Sequence, residues 1–212
     1  MQPVNHPVNA AITPPGSKSL TNRALIVAAM ADGRSVLSGA LDSDDTVAMS
    51  ESLRRLGIEV QHDADAATMT VVGQGGRFPN QSAELEIGNS GTSIRFLTGM
   101  LGFAGGAYTL DGIQRMRERP IGPLVDALAK LGANIEAISP NACPPVKISG
   151  PAIVGGTVSL SGNLSSQYLS GLLMAAPLAS EDVTLQIDGP LISKPYVDMT
   201  CAVMRSFGVN VD

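Results

Sequence analysis

Three stretches carry apolar residues at helical spacing, each opening on polar positions: NRALIVAAMADG (22–33), SIRFLTGMLGFAGG (93–106) and SSQYLSGLLMAAPLAS (165–180). Behind each comes a short strand ending in a turn, SVLSGAL, AYTLDGI and VTLQIDGPL, and then a second helix. These second helices end alike, in LRRLGIEV (53–60), LAKLGANIEA (128–137) and MRSFGVNVD (204–212). Each ending is a last helical turn, a glycine suited to the C′ position, and alternating strand residues. The glycines are Gly57, Gly132 and Gly208, 75 and then 76 positions apart. The pattern predicts an α/β fold built from a β-α-β-α-β-β unit used three times, over about residues 15–75, 85–150 and 157–212. The first two units finish in hairpins, IEVQHDADAATMTVVG and NIEAISPNACPPVKISG, whereas the third stops at VNVD, halfway through its hairpin. The third unit is thus expected to be incomplete, with an unpaired sheet edge, as in a piece of a longer protein.

Composition narrows the function classes. The 212 residues are 44% hydrophobic and 16% charged, enough for a real core. A net charge of −5 and 3% aromatics argue against a nucleic-acid surface. No run of about 18 apolar residues is present, so no membrane span is expected. The start MQPVNHPVNA has neither a basic n-region nor an apolar h-region, and a cytoplasmic setting is expected. Cys143 and Cys201 read as separate reduced thiols. His6 and His62 stand alone in polar segments, so no metal site is expected. No Walker loop or Rossmann fingerprint occurs, and no cofactor is implied.

Charge placement points to an anion. Seven of the 14 cations, Lys18, Arg23, Arg95, Arg115, Arg117, Arg119 and Lys194, lie in or beside helix starts and motif loops. Helix N-termini carry unpaired N–H groups and partial positive charge. In PPGSKSLTNRAL, Lys18, Ser19 and Arg23 gather at one such start. A second seat is GNSGTSIRF (88–96), where Gly88 and Gly91 allow close backbone approach and Thr92, Ser93 and Arg95 add hydroxyls and a cation. A third is SGNLSSQY (161–168), with Ser165, Ser166 and Gln167 but no cation of its own. Any one of these starts is most simply a cap, and RMRERP (115–120) is most simply a solvated face. Their recurrence at one period favours a single concave pocket for a small polyanion.

PGSKSLTNRAL, GNSGTSIRFL, DGIQRMRERPIGPLVDAL, SSQYLSGLLMAAPL and ISKPYVDMT, taken together, resemble the N-terminal half of the 5-enolpyruvylshikimate-3-phosphate synthase family, from about residue 12 to the end. RMRERPIG and SKPYVDMT favour it over the sibling UDP-N-acetylglucosamine enolpyruvyl transferases. The resemblance implies two similar domains, each an inside-out α/β barrel of three units with buried helices and outer sheets, and an active site between them. By it, residues 15–212 form the first domain, and the strand at about 1–14 belongs with a second domain absent from this sequence. It implies transfer of the enolpyruvyl group of phosphoenolpyruvate to the 5-hydroxyl of shikimate-3-phosphate, without metal or cofactor. Lys18 would contact both substrates. Ser19, Arg23, Ser165, Ser166, Gln167 and Ser193 would hold shikimate-3-phosphate, with Tyr196 nearby, and Gly91, Arg119 and Gln167 would hold phosphoenolpyruvate. The proton-transfer carboxylates would come from the other domain, so this chain would bind but not catalyse. An anion-binding module without catalysis is the alternative of another class. Position 96 is Phe where the family often has Pro or Leu. Gly91 is retained, and an Ala there is associated in the family with poor binding of glyphosate, so glyphosate sensitivity of the complete enzyme is expected.

Overall fold

The computed structural model describes residues 5, 7 and 9–212. The strand expected over 1–14 falls partly outside these, and residues 9–14 have no regular secondary structure.

Each of the three apolar stretches becomes a central helix: α1 (Lys18–Met30), α3 (Gly91–Ala104) and α5 (Ser166–Ala175). A serine caps each one. Ser17 Oγ accepts from the Leu20 amide at 3.4 Å, Ser90 Oγ from the Ser93 amide at 3.3 Å, and Ser165 Oγ from the Gln167 amide at 3.4 Å. The second helices are α2 (Asp44–Arg55), α4 (Gly122–Lys130) and α6 (Lys194–Ser206). Helix α2 opens on a reciprocal capping box between Ser43 and Thr46. Gly57, Gly132 and Gly208 all take positive φ, at 87°, 101° and 85°, the C′ geometry that the repeat predicts.

The strands form three separate sheets. β1 (Asp32–Ser38), β2 (Glu59–Asp63) and β3 (Thr68–Gln74) pair antiparallel in the order β1-β3-β2. In the second unit, β4 (Ser82–Glu86), β5 (Gly106–Asp111), β6 (Asn134–Ala137) and β7 (Val146–Gly150) run in the order β4-β5-β7-β6, with β4 and β5 parallel. In the third, β8 (Gly156–Ser161) and β9 (Val183–Asp188) pair in parallel. The second unit is therefore the complete β-α-β-α-β-β motif, and the other two depart from it. Among the described residues no strand precedes α1, so β1 lacks the parallel neighbour that β4 gives β5. Residues 209–212, expected to begin a hairpin, form no strand and pair with none of the described strands.

The central helices α1, α3 and α5 lie inside, while α6 buries only Thr200 and Met204. Helix α3 buries every residue except Arg95 and Ala104, whereas β1 has no fully buried residue. One core cluster joins Leu25 and Ile26, Met49 and Leu53, Phe96 and Met100, and Leu172. Helices α3 and α5 approach so closely that a Cβ on Gly99 would stand 2.7 Å from the Gly171 carbonyl oxygen. That contact fixes the spacing of two of the three helix starts. Gly99→Ala should therefore push α3 from α5 and cost about 1–3 kcal/mol, the range for overpacking. Urea unfolding of the chain would measure it, and an unchanged midpoint would contradict the tight contact.

Candidate anion-binding site

The starts of α1, α3 and α5 open onto one cavity of about 300 Å³. It is lined by Lys18, Ser19 and Arg23 from α1, Gly91 and Thr92 from α3, and Ser166 and Gln167 from α5, together with Ser165. Arg119, Asn89, Asp45 and Tyr196 complete it. Of the residues singled out from the sequence, Lys18, Ser19, Arg23, Gly91, Arg119, Ser165, Ser166 and Gln167 thus share one wall, and Ser193 does not. Ser193 is the left-handed residue just before α6, at φ 56° with an exposed side chain, and Tyr196 one turn on reaches the cavity instead.

Arg23 is the most constrained of these groups. Its side chain is 1% exposed, and no ion pair among the described residues involves it. Neutral acceptors surround it. Nε donates to Thr200 Oγ1 at 2.7 Å, one terminal nitrogen to the Ser19 carbonyl at 2.9 Å, and the other to Ser170 Oγ at 3.2 Å and the Tyr196 carbonyl at 3.4 Å. The Phe96 ring lies against the guanidinium, its centroid 5.1 Å from Cζ. Burial pushes the Arg23 pKa down to about 10, opposed by Tyr196, so the group is a full cation at neutral pH. A buried charge solvated only by dipoles favours an anion in the adjoining space.

Lys18 meets the one carboxylate of the wall, with Nζ 3.1 Å from Asp45 Oδ2. Lys18 is half-exposed, so this pair is worth under about 1 kcal/mol and yields readily to a competing anion. Asp45 also accepts from Ser90 Oγ at 2.5 Å, and its backbone carbonyl accepts from Ser93 Oγ at 3.0 Å. The first turn of α2 is thereby tied to the cap of α3.

Arg95 does not line the cavity. It stands behind Gln167, donating to Gln167 Oε1 with its Cζ 5.0 Å from the Tyr168 ring centroid. Burial lowers its pKa, Tyr168 opposes that, and neighbouring Arg119 adds to it. Gln167 Nε2 donates to Thr92 Oγ1 at 3.1 Å, so both ends of the amide are held and its orientation is set. In the RMRERP run, Arg115 pairs with Glu118 and Arg117 with Asp111. Arg119 instead donates to the Asn89 carbonyl at 2.9 Å and reaches the cavity. Asp45 and Asn89 were missed from the sequence, whereas Thr92, singled out in the second seat, does line the cavity. The DD pair after Ser43 in the first turn of α2 was the signal that could have raised Asp45. Among the described residues no cluster of His, Cys, Asp and Glu could hold a metal ion, and no helix is long and apolar enough to cross a membrane.

Three capped helix starts and three cations surround one small cavity in an α/β repeat domain. The sequence model of the family described as EPSP synthase (3-phosphoshikimate 1-carboxyvinyltransferase) matches residues 4–212. A 3-phosphoshikimate 1-carboxyvinyltransferase of Vibrio atlanticus is 46% identical over 212 residues, covering all of this chain and 50% of that protein. A chloroplastic one of Nicotiana tabacum is 47% identical over 220 residues, covering all of this chain and 42% of that protein. The EPSP synthase of Acinetobacter baumannii superposes with a TM-score of 0.82 at 28% identity, over 95% of this chain and 44% of that one. The enolpyruvyl transferase NikO of Streptomyces tendae, 19% identical with a TM-score of 0.70 over 98% of this chain and 47% of that one, shares the fold. The chain belongs to the EPSP synthase family, and it spans about half the length of the curated relatives it matches.

Gly91 and Arg119 are in direct apposition. A Cβ on Gly91 would stand 2.3 Å from a terminal nitrogen of Arg119 and 2.4 Å from its Cζ. The obstacle is the end of a flexible side chain, so Gly91→Ala should displace Arg119 with a change in stability within about 0.5 kcal/mol. Binding of a phosphate or phosphonate anion, followed by calorimetry, should weaken. Unchanged anion affinity would contradict the placement of Arg119.

Proposed function

We propose that this chain supplies half of the active site of a 3-phosphoshikimate 1-carboxyvinyltransferase, which moves the enolpyruvyl group of phosphoenolpyruvate onto the 5-hydroxyl of shikimate-3-phosphate and releases phosphate. The observation that carries it is the sharing of one cavity by Lys18, Ser19, Arg23, Gly91, Arg119, Ser165, Ser166 and Gln167. Shikimate-3-phosphate lies along the α1 and α5 starts. Its carboxylate is near Ser19 and Arg23 and its phosphate on Ser165 and Ser166, where cap hydroxyls and backbone amides take an anion. Phosphoenolpyruvate lies toward Gly91 and Arg119, in charge-assisted bonds to the guanidinium. Lys18 and Gln167 touch both. Ser193 keeps only an outer role, since it lies off the cavity wall.

Both substrates are multiply charged anions that repel one another. Lys18, Arg23 and Arg119 offset that repulsion and hold the reacting atoms in register. Asp45, the one carboxylate on the wall, bonds Lys18 and releases it to the incoming anions. The proton-transfer groups come from a partner domain corresponding to the other half of the relatives. The complete enzyme binds glyphosate, as expected with Gly91 in place. A cytoplasmic setting belongs to the same proposal, with Cys143 and Cys201 as unpaired thiols in its support.

Calorimetry with the 212-residue chain tests this. Shikimate-3-phosphate should bind weakly, and an assay for released phosphate should detect no turnover. Turnover by the chain alone would overturn the half-site, and absence of shikimate-3-phosphate binding would overturn the substrate.

A further inference from the structure

Phe96 occupies an unusual place. It is fully buried on the first turns of α3, yet its ring belongs to the environment of a side chain on α1. The Arg23 guanidinium it touches is also almost fully buried and has no carboxylate partner among the described residues. Thr200 of α6, Ser170 of α5 and the Ser19 and Tyr196 carbonyls take up its N–H groups at the edge. Beside these polar partners, the guanidinium carbon lies over the Phe96 ring, 5.1 Å from its centroid. A carboxylate in its stead would neutralise Arg23 and leave the cavity less positive. An aliphatic side chain would leave the cation with its dipolar partners and without the aromatic ring. An aromatic face attracts the cation without cancelling its charge, and the attraction is greatest where water is excluded.

We propose that Phe96 is a positioning residue for the acceptor substrate: through its ring it holds the Arg23 cation in place at the cavity, and so sets the affinity for the substrate's carboxylate. The ring acts on Arg23 and not on Arg119, whose partner is the Asn89 carbonyl. Phe96 therefore tunes one of the two anion subsites and leaves the other alone. The identity of the ligand rests on the proposed function; the contact between Phe96 and Arg23 does not.

Two measurements on the 212-residue chain separate these. The first needs no ligand. The Arg23 Nε–H, which donates to Thr200 in a buried site, should give a ring-shifted, slowly exchanging NMR signal. In Phe96→Leu that signal should lose its ring shift and exchange faster, and in Phe96→Tyr both should be retained. The second is calorimetry. Phe96→Leu should weaken binding of shikimate-3-phosphate, and of shikimate, which keeps the carboxylate but lacks the phosphate, by about fivefold, the effect of losing part of a desolvated cation–π contact. Phe96→Tyr should restore both, and phosphoenolpyruvate should bind all three proteins alike. A general loosening of α3 would weaken phosphoenolpyruvate as well, because Gly91 sits on the same helix start, and that result would overturn the proposal. So would an Arg23 signal unmoved in Phe96→Leu, or shikimate-3-phosphate binding equal in wild type and Phe96→Leu. If wild type binds no shikimate-3-phosphate, the proposed substrate falls, and the Arg23 signal alone decides on Phe96.

Discussion

A buried guanidinium whose partners among the described residues are all neutral governs the arrangement of this domain. Arg23 comes from α1, yet its hydrogen bonds run to α5 and α6 and its aromatic neighbour comes from α3. Removing such a charge from water is costly, and the cost is offset only if every one of those elements is in place. The polar network thus specifies how four helices meet, while the Gly99–Gly171 approach sets how closely two of them do. The cavity is the space left where the helix starts converge. Its positive character follows from leaving Arg23 solvated by dipoles and not neutralised.

Around that centre the other charges are arranged by degree of commitment. Arg95 is committed inward, its guanidinium occupied with Gln167 and set against Tyr168. Arg115 and Arg117 are committed to neighbouring carboxylates on the surface. Lys18 and Arg119 are lightly held, one by a half-exposed pair and the other by a single backbone carbonyl, and these two are free to exchange partners for a ligand. One chain of net negative charge thereby keeps a positive cavity, because its acidic residues lie mostly elsewhere and Asp45 alone enters the wall.

Much of this was legible in the sequence. The period carried by Gly57, Gly132 and Gly208 defined the repeat, because a left-handed C′ residue is a local requirement. Polar residues ahead of three apolar runs located the helix starts, and their recurrence suggested convergence, but the cap of α3 is Ser90 and not Thr92 or Ser93, which lie inside the helix. What escaped was set by packing at a distance. Thr200 and Ser170 look like ordinary helix residues, and only the assembled bundle brings them to Arg23. Arg95 has the same local signature as Arg23 but lies behind the wall, since α5 offers it Gln167 and a ring. The strands expected before α1 and at 209–212 need partners that local pattern cannot supply, and none of the described strands provides them. Ser193 gave way to Tyr196 because the entry turn of α6 directs the later residue to the cavity.

The most direct measurement is a crystal structure of the chain soaked with shikimate-3-phosphate. The ligand should bridge the starts of α1 and α5, with its carboxylate at Arg23, its phosphate at Ser165 and Ser166, and the bond from Lys18 to Asp45 opened. A ligand bound elsewhere, or one in this cavity making no contact with Arg23, would contradict the account.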